Sequence, residues 1–359
     1  MKTISIFRET LKWQSILLSV LINFSTSIAS FASDSTSTLL EEIVITEEGR
    51  KKTEYTLSPQ IKTDTTLKHA LQHSSLAEYV KGVSSIFLRD NGNGMSSTIS
   101  IRGTQASHTQ VTWNGVSINS QTMGQVDFNL IPMFFIDDAE IHIGGNSALH
   151  GNGAIGGAIA LTSQSAINQP LKLNIQASAG SYKNLFCGGN LRVGNKYVGS
   201  KTAIFYHQIK NNFKFNFRDQ KQTQQNAAIK NYGVLEELDF KVGSKGQIST
   251  KFWHTNMHRE IQPMKQNNNN PLKYETIQDR TTRLIAHYKL YTPTTLFFGV
   301  GWLNDYQKYK EEVISTNDLT ARLYAEHCWS GTKAGKLSSK AGGEFHYIKP
   351  EANAYKAGT

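Results

Sequence analysis

The sequence predicts a mainly β protein in which a small α+β domain precedes an antiparallel transmembrane β-barrel. Two observations lead to this fold class: a secretory signal opens the chain, and from residue 171 onward apolar and polar residues alternate in repeated runs. Glycine is also plentiful, with 28 Gly against 7 Pro in 359 residues. That composition is more typical of a turn-rich β protein than of a helical one.

The N-terminal segment, residues 1–32, has the pattern of a secretory signal peptide. Lys2, Arg8 and Lys12 precede an apolar run at residues 16–22, and polar and small residues complete the segment. The run is shorter than the ~18 apolar residues that a spanning helix requires. We therefore expect cleavage at the end of this segment and export from the cytoplasm.

A polar stretch, residues 33–54, follows the signal and contains one short acidic and β-branched segment at residues 42–46. β-branched residues favour an extended backbone. The segment lies between polar stretches with no partner strand nearby, so it suits pairing with the sheet edge of another protein. The alternative interpretation is an ordinary first strand of the next domain.

Residues 55–165 predict a compact α+β domain with a small central sheet. The motif Ser75-Leu76-Ala77-Glu78 is a capping box that predicts the start of a helix, and Gly82 predicts its end. Three short runs, at residues 99–101, 110–113 and 140–143, are alternating or β-branched and predict strands between glycine-rich turns.

Residues 170–359 predict the strands of a membrane barrel. Leu171, Leu173, Ile175 and Ala177 alternate with polar residues, and similar runs recur along the segment. Short connections alternate with longer polar ones, which is typical of a transmembrane barrel, and about nine strands are predicted. The further runs begin at Leu238, Leu284, Leu296 and Leu319, and the short connections lie at 194–199, 243–246, 292–294 and 331–335.

A water-soluble β-sandwich is the competing architecture, because alternation also marks a half-buried sheet. Aromatic residues near predicted strand ends, among them Phe213, Trp253, Trp302 and Trp329, favour the barrel. A barrel must close to satisfy its edge strands. About nine strands fall short of closure, so we expect the given chain to be a fragment or a truncated product.

Several stretches of residues 55–165 resemble the plug domain of the TonB-dependent outer-membrane receptors, most nearly that of the cobalamin (vitamin B12) receptors. The resemblance implies a plug domain at residues 55–165 and, from residue 170, the N-terminal part of a 22-strand-type barrel. Asn114 and Gly144 depart from the family, which usually has an acidic and a basic residue there. The resembling stretches are residues 91–97, 101–108, 114–119 and 139–159.

The resemblance also implies roles for individual residues. Arg102 lies in an otherwise apolar predicted strand and is expected to be buried and paired with carboxylates of the barrel wall, because a charge inside a barrel must be paired. A solvent-exposed Arg is the alternative. The segment expected to act as the TonB box is Glu42, Ile43, Val44, Ile45 and Thr46. Residues expected to contact substrate are Asn91, Asn93, Met95, Ser96, Gln121, Met123, Gln125 and Asp127. Residues expected to be structural in the plug are Arg102, Gly103, Gly115, Gly145, Gly151, Gly156 and Gly157.

The predicted function is import of a scarce nutrient through the outer membrane of a Gram-negative type cell. A cobalamin-like corrinoid is the leading ligand and an iron–siderophore complex is the alternative. The expected partners are a TonB-type energy-transducing protein, the ligand and outer-membrane lipid. A surface binding or adhesion protein, an inactive barrel fragment and a passive porin are the alternatives from other classes.

Enzymatic and nucleic-acid functions are not predicted. The net charge of +10 is spread over alternating segments and loops and is not gathered in one basic run. His254 and His258 are four residues apart but lie in a predicted strand, where this spacing does not make a metal site. We expect no catalytic residue, no metal and no cofactor.

Overall fold

In a computed structural model, the described part of the chain begins at residue 59. The predicted signal peptide, the predicted TonB box and Asn93 lie outside the described residues. No helix in the described part is long and apolar enough to cross a membrane. The described residues are 59–84, 86–92, 94–145, 147–151, 153–217, 219–262, 275–332 and 335–353.

The predicted plug domain folds as a small sheet with short helices. In chain order its elements are β1 (Gln60–Ile61), α1 (Thr65–Ala70), α2 (Leu76–Val83), β2 (Phe87–Asp90), β3 (Ser97–Ser100), β4 (Thr109–Trp113), β5 (Val116–Ser117), β6 (Asp138–Ile143), α3 (Ser147–His150) and β7 (Gly157–Thr162). The sheet has the order β1-β6-β7-β4-β5, with β4 and β7 parallel, and β2 and β3 form a separate hairpin. This confirms the α+β expectation.

Helix α2 begins where the capping box predicted, but the capping box itself does not form. The Ser75 side chain makes no hydrogen bond to the helix backbone, and its Oγ instead donates to Asn129 Oδ1 at 2.8 Å. Gly82 lies inside the helix and does not end it. The helix is stabilised by its apolar face, which is buried in the core of the plug domain.

The second part of the described chain is a nine-stranded antiparallel sheet, here called the wall sheet. Its strands are β8 (Lys172–Gly180), β9 (Asn184–Gly194), β10 (Val198–Ile209), β13 (Ile229–Val242), β14 (Gly246–Ile261), β15 (Glu275–Leu290), β16 (Thr294–Tyr309), β17 (Glu312–Thr332) and β18 (Gly335–Ala352). A separate hairpin, β11 (Lys214–Phe217) and β12 (Gln220–Thr223), lies between β10 and β13. Neighbours in the wall sheet follow one another along the chain, except that the β11–β12 hairpin intervenes between β10 and β13.

Side chains of the wall sheet alternate between an outer face and an inner face. In β16 the outer positions are apolar and exposed, with Phe298 at 51% and Trp302 at 39% exposed fraction. Phe297 and Leu303, at inner positions of the same strand, are 5% and 4% exposed. An apolar outer face is what a membrane strand presents to lipid.

The two ends of the wall sheet differ in their connections. One end, here called the short-turn end, has turns at residues 195–197, 243–245 and 291–293. The other end, here called the long-loop end, has connections at 181–183, 210–228, 262–274 and 310–311. The prediction of longer loops at this end is therefore wrong for two of its four connections. Lys310, at φ +55°, allows the two-residue turn between β16 and β17.

Aromatic side chains join the plug domain to the wall sheet within one compact unit, residues 56–359. Trp253 was expected at a strand end, but it faces inward from the middle of β14 and is 1% exposed. Its ring meets Trp113 and Phe135 edge-on, each at a centroid distance of 5.3 Å. Such pairs contribute about 0.5–1.5 kcal/mol beyond their buried area. The inner position of Trp253 in the alternation explains why it contacts the plug.

Candidate functional site

Two loops of the plug domain, residues 91–96 and 120–127, lie at the long-loop end of the wall sheet. Arg259, near the end of β14, donates to the Gly94 carbonyl at 3.4 Å and to Asp127 Oδ2 at 2.9 Å. Gln121 Nε2 donates to Asp318 Oδ2 in β17 at 2.9 Å. The structure therefore brings the two predicted substrate loops together against the inner face of the wall.

The predicted contact residues differ in how far they are available to a ligand. Met123 is 57% exposed and Asn91 is exposed, whereas Met95, Ser96 and Gln125 are half-buried. The Asn91 N–H donates to the Ser96 carbonyl at 3.2 Å and closes the first loop. Asn91, Gln121 and Met123 are the exposed members of the predicted set among the described residues.

Both carboxylate oxygens of Asp127, a residue of the predicted substrate set, are held by plug and wall groups. Its side chain is 10% exposed, and its Oδ1 accepts from the backbone N–H groups of Ser97 and Asn129, both at 3.0 Å. Its Oδ2 pairs with Arg259. Asp127 therefore connects two loops of the plug to the wall.

Arg259 and its two carboxylates form one plug anchor, at the long-loop end. The Arg259 side chain is 3% exposed, and its Nη2 lies 2.6 Å from Asp279 Oδ2 in β15. Burial raises the pKa of Asp127, against the opposing effects of the Arg259 charge and the two backbone N–H donors. Asp127 therefore depends on Arg259 and on the two backbone N–H donors to offset the cost of its burial.

The second anchor lies at the short-turn end and is centred on Asp137, immediately before β6. Its Oδ2 accepts from Lys201 Nζ at 3.0 Å and from the Gln164 N–H at 2.9 Å, and its Oδ1 pairs with Arg192. Lys201 is 1% exposed and also lies 3.4 Å from Glu237. Burial of Asp137 opposes its ionised form, but the charges of Lys201 and Arg192 outweigh burial and hold its pKa below the usual value.

Arg102 does not have the role that was predicted for it. It follows β3 at φ +52°, its side chain is exposed, and it makes no ion pair with a described residue. Because the chain turns directly after Ser100, Ile101 takes the buried position, at 1% exposure. The buried cations that pair with carboxylates across the interface are Lys201 and Arg259, and both belong to the wall.

Asn114 and Gly115 form the two-residue turn between β4 and β5. Their φ values are +48° and +82°, the pattern of a type I′ hairpin turn, which favours Asn-Gly. Asn114 Nδ2 donates to Ser163 Oγ at 3.0 Å, and Ser163 Oγ donates to the wall residue Glu237. An acidic residue at position 114 would place a second carboxylate near Glu237, so a neutral amide suits this chain.

The other predicted plug glycines occupy turns or crowded positions. A Cβ at Gly157 would lie 2.5 Å from the His142 carbonyl oxygen, so β6 and β7 approach closely there. Gly103 and Gly151 have φ values of +75° and +95°, Gly145 is exposed before α3, and Gly156 lies against the Thr104 side chain.

Sequence reasoning missed the two anchors, although the pattern contained a signal. Lys201, Glu237 and Lys251 occupy inner positions of three adjacent strands and face one another in register. Charged residues at the inner positions of an alternating strand must find partners inside the barrel. Groups of three or more His, Cys, Asp or Glu residues with metal-binding geometry do not occur in the described part of the chain.

Comparison with known proteins identifies the N-terminal domain. Residues 51–158 match the family model of the TonB-dependent Receptor Plug Domain. The Vitamin B12 transporter BtuB of Photobacterium profundum is 29% identical over 188 residues, or 52% of this chain and 30% of that protein. BtuB of Vibrio vulnificus is 46% identical over 68 residues, or 19% of this chain and 11% of that protein. The chain spans less than a third of the length of these curated relatives.

Solved structures share the fold over most of this chain. The siderophore receptor PiuA from Acinetobacter baumannii superposes with a TM-score of 0.66 at 14% identity, covering 82% of this chain and 46% of PiuA. The pyoverdine outer membrane receptor FpvA from Pseudomonas aeruginosa PAO1 gives 0.67 at 10% identity, covering 82% and 47%. These identities establish a shared fold alone. Residues 51–158 are thus a TonB-dependent receptor plug domain, and the described chain as a whole shares the fold of the receptors PiuA and FpvA.

Proposed function

We propose that this protein imports a scarce nutrient across the outer membrane of a Gram-negative type cell, driven by a TonB-type partner. The observation that carries the proposal is a plug domain held against the inner face of a membrane-type sheet by buried ion pairs. A plug in this position obstructs passive diffusion, so transport requires that the plug move. The apolar outer face of the wall sheet is suited to outer-membrane lipid.

A cobalamin-like corrinoid is the ligand that we propose first. Both curated relatives described above are named as vitamin B12 transporters. The plug loops at residues 91–96 and 120–127 carry amide, hydroxyl and thioether groups and contain no Lys or Arg. A neutral ligand with many hydrogen-bonding groups suits such loops better than an anionic one. An iron–siderophore complex is the second candidate, because PiuA, which shares the fold, is named as a siderophore receptor.

The geometry supports a route for the pulling force through the plug domain. Residues 42–46 are proposed to act as the TonB box, to which the partner adds a strand. The first described strand after them is β1, which pairs with the edge of β6 by two residues, Gln60 and Ile61. A pull on the preceding segment therefore acts first on this short strand. The next element in line is β6, whose start is held by the Asp137 anchor.

Deletion of Ile43 to Thr46 is expected to abolish ligand accumulation while surface binding stays intact. The reason is that the coupling segment lies far in sequence from the ligand-facing loops, so its loss removes the pull and leaves the binding face unchanged. Uptake and binding of labelled cyanocobalamin are measured on the same cells that produce the protein. Deletion of four residues from the neighbouring polar stretch, Ser35 to Thr38, is the matched control.

Unchanged uptake after loss of residues 43–46 would refute energy coupling through this segment. It would favour the alternative class, a surface protein that binds ligand without transporting it. If the cells bind and accumulate a ferric siderophore but no corrinoid, the transport proposal stands. The proposed ligand is then a siderophore complex and not a corrinoid.

A further inference from the structure

A cavity lies between the plug domain and the wall sheet at the long-loop end. Its volume is about 220 Å³, and it is lined by plug residues that include His73 and Asn129 and by wall residues from four strands. Gly94, in the loop at residues 91–96, and Ile229, the first residue of β13, meet at its border. The cavity therefore opens beside the proposed ligand face and is distinct from the exposed loop surfaces.

Four wall residues that line the cavity form one row across adjacent strands. Phe186 of β9, His207 of β10, Asn231 of β13 and Met257 of β14 are consecutive partners in the sheet register. Partners in register point to the same face of a sheet. The row thus presents an aromatic ring, an imidazole, an amide and a thioether side by side to the plug.

Flat groups surround one side of the cavity. The rings of Phe186 and Phe205 are stacked, with a centroid distance of 6.1 Å and an interplanar angle of 14°. His73 of the plug meets the edge of Phe186 at 6.4 Å, and His207 of the wall meets it at 6.1 Å. Surfaces of this kind favour planar aromatic guests, which gain from stacked and edge-on contacts.

One polar group in the row has no partner among the described residues. Asn231 is 5% exposed, and its side-chain oxygen Oδ1 is buried without a hydrogen bond. The neighbouring His207 is satisfied, because its Nε2 lies 2.8 Å from Asn184 Oδ1. A buried amide oxygen without a donor is a place where a bound molecule gains a hydrogen bond. Asn231 lines the cavity, so a guest bound there can supply a donor to this oxygen.

The charge of the lining excludes anionic guests. Among the described residues no Lys or Arg lines the cavity, and the two carboxylates at its border, Glu78 and Asp90, both pair with Lys81, at 2.8 Å and 2.6 Å. An anionic iron chelate would meet carboxylates and no cation there. An uncharged guest avoids the large cost of burying an unpaired charge.

We propose that this cavity binds a flat, uncharged nitrogen heterocycle carried by the imported ligand. Its volume of about 220 Å³ is below the ~300–1,000 Å³ of pockets that enclose a whole drug-sized molecule. It therefore takes one ring system, while the rest of the ligand stays on the loops. The ring stacks against Phe186, and a hydroxyl group of the sugar attached to the ring donates a hydrogen bond to Asn231 Oδ1. This inference rests on the proposed import of a corrinoid. It identifies the heterocycle as the part of the ligand that binds in the cavity.

The test compares cyanocobalamin with cobinamide, which has the same corrin ring but lacks the nucleotide that carries a benzimidazole. Binding of both is measured by equilibrium titration on the whole purified protein. Replacement of Asn231 by Leu is expected to weaken cyanocobalamin binding about tenfold, the size of one lost buried hydrogen bond, and to leave cobinamide binding unchanged. The matched control is Asn256→Leu, an Asn of the adjacent strand at an outward position.

A second variant tests the cavity without changing the hydrogen-bond acceptor at Asn231. Met257→Trp is expected to fill the cavity and to reduce the preference for cyanocobalamin over cobinamide in the same way. If wild type and both variants bind the two corrinoids with unchanged ratios, the inference is wrong and the proposed function stands. If wild type binds neither corrinoid, the proposed ligand is wrong and the inference fails with it.

Discussion

Asp137→Asn is expected to lower the free energy of unfolding of the plug by about 3 kcal/mol, the low end for breaking a buried ion pair. The substitution leaves Lys201 at 1% exposure with only Glu237, 3.4 Å away, to offset its charge. Arg192 loses its partner as well. Urea unfolding of the purified protein measures the change, and tryptophan fluorescence reports it because the contact of Trp113 with Trp253 joins plug to wall.

The exposed cation Arg102 provides the control for this prediction. Arg102→Gln is expected to change the stability by less than about 0.5 kcal/mol, because the side chain is exposed and unpaired among described residues. Equal losses in Asp137→Asn and Arg102→Gln would contradict the assignment of the anchor. They would agree instead with the prediction from the sequence that Arg102 is buried and paired.

The contribution of Asp137 has a defined dependence on pH. Its pKa in the folded protein is lowered by Lys201 and Arg192, so the folded state favours the charged carboxylate. The stabilisation is therefore fully present above the unfolded pKa of about 3.9 and is lost as the pH falls through the lower folded pKa. The stability difference between wild type and Asp137→Asn is expected to be constant near neutral pH and to shrink in acid.

Arg259→Met is expected to destabilise the plug at the long-loop end by about 3 kcal/mol, because it leaves two buried carboxylates without their cation. Asp127 and Asp279 both pair with Arg259, and Asp127 also accepts hydrogen bonds from two backbone N–H groups of the plug. Loss of the pair is expected to loosen the loops at residues 91–96 and 120–127. Limited proteolysis of these loops in the purified protein, together with urea unfolding, measures the effect.

Arg280→Met is the matched control for the Arg259 prediction. Arg280 lies on the adjacent strand, is exposed and contacts the Tyr306 ring from 4.5 Å, away from the plug. Its replacement is expected to leave both the proteolysis pattern and the stability of the plug nearly unchanged. If the plug loops are cleaved equally fast in wild type and Arg259→Met, the loops are held by other contacts and the anchor is not needed there.

The alternating pattern was sufficient to predict the wall sheet and its outer face. Leu171, Leu173 and Ile175 are all exposed outward, because a period of two fixes the face of each side chain in a strand. The same pattern did not predict the two groups of ion pairs that anchor the plug to the wall sheet. Asp137 and Lys201 are separated by 64 residues, and only the packing of plug on wall brings them together.

Local backbone conformation accounts for the main error at the candidate site. The motif placed Arg102 in an apolar strand, where burial would follow. The strand ends at Ser100, and positive φ values at Arg102 and Gly103 turn the chain so that Arg102 leaves the buried face. Loop composition likewise does not reveal that the carboxylate of Asp127 accepts hydrogen bonds from two backbone N–H groups.

The most direct test of active import compares ligand accumulation before and after collapse of the proton gradient. Cells that produce the protein are given labelled cyanocobalamin, and surface-bound and internal label are separated, with and without a protonophore. The account predicts that surface binding continues and accumulation stops, because the plug remains held by the Asp137 and Arg259 anchors when nothing pulls it. Accumulation that continues at the same rate without a proton gradient would contradict the account and show passive passage.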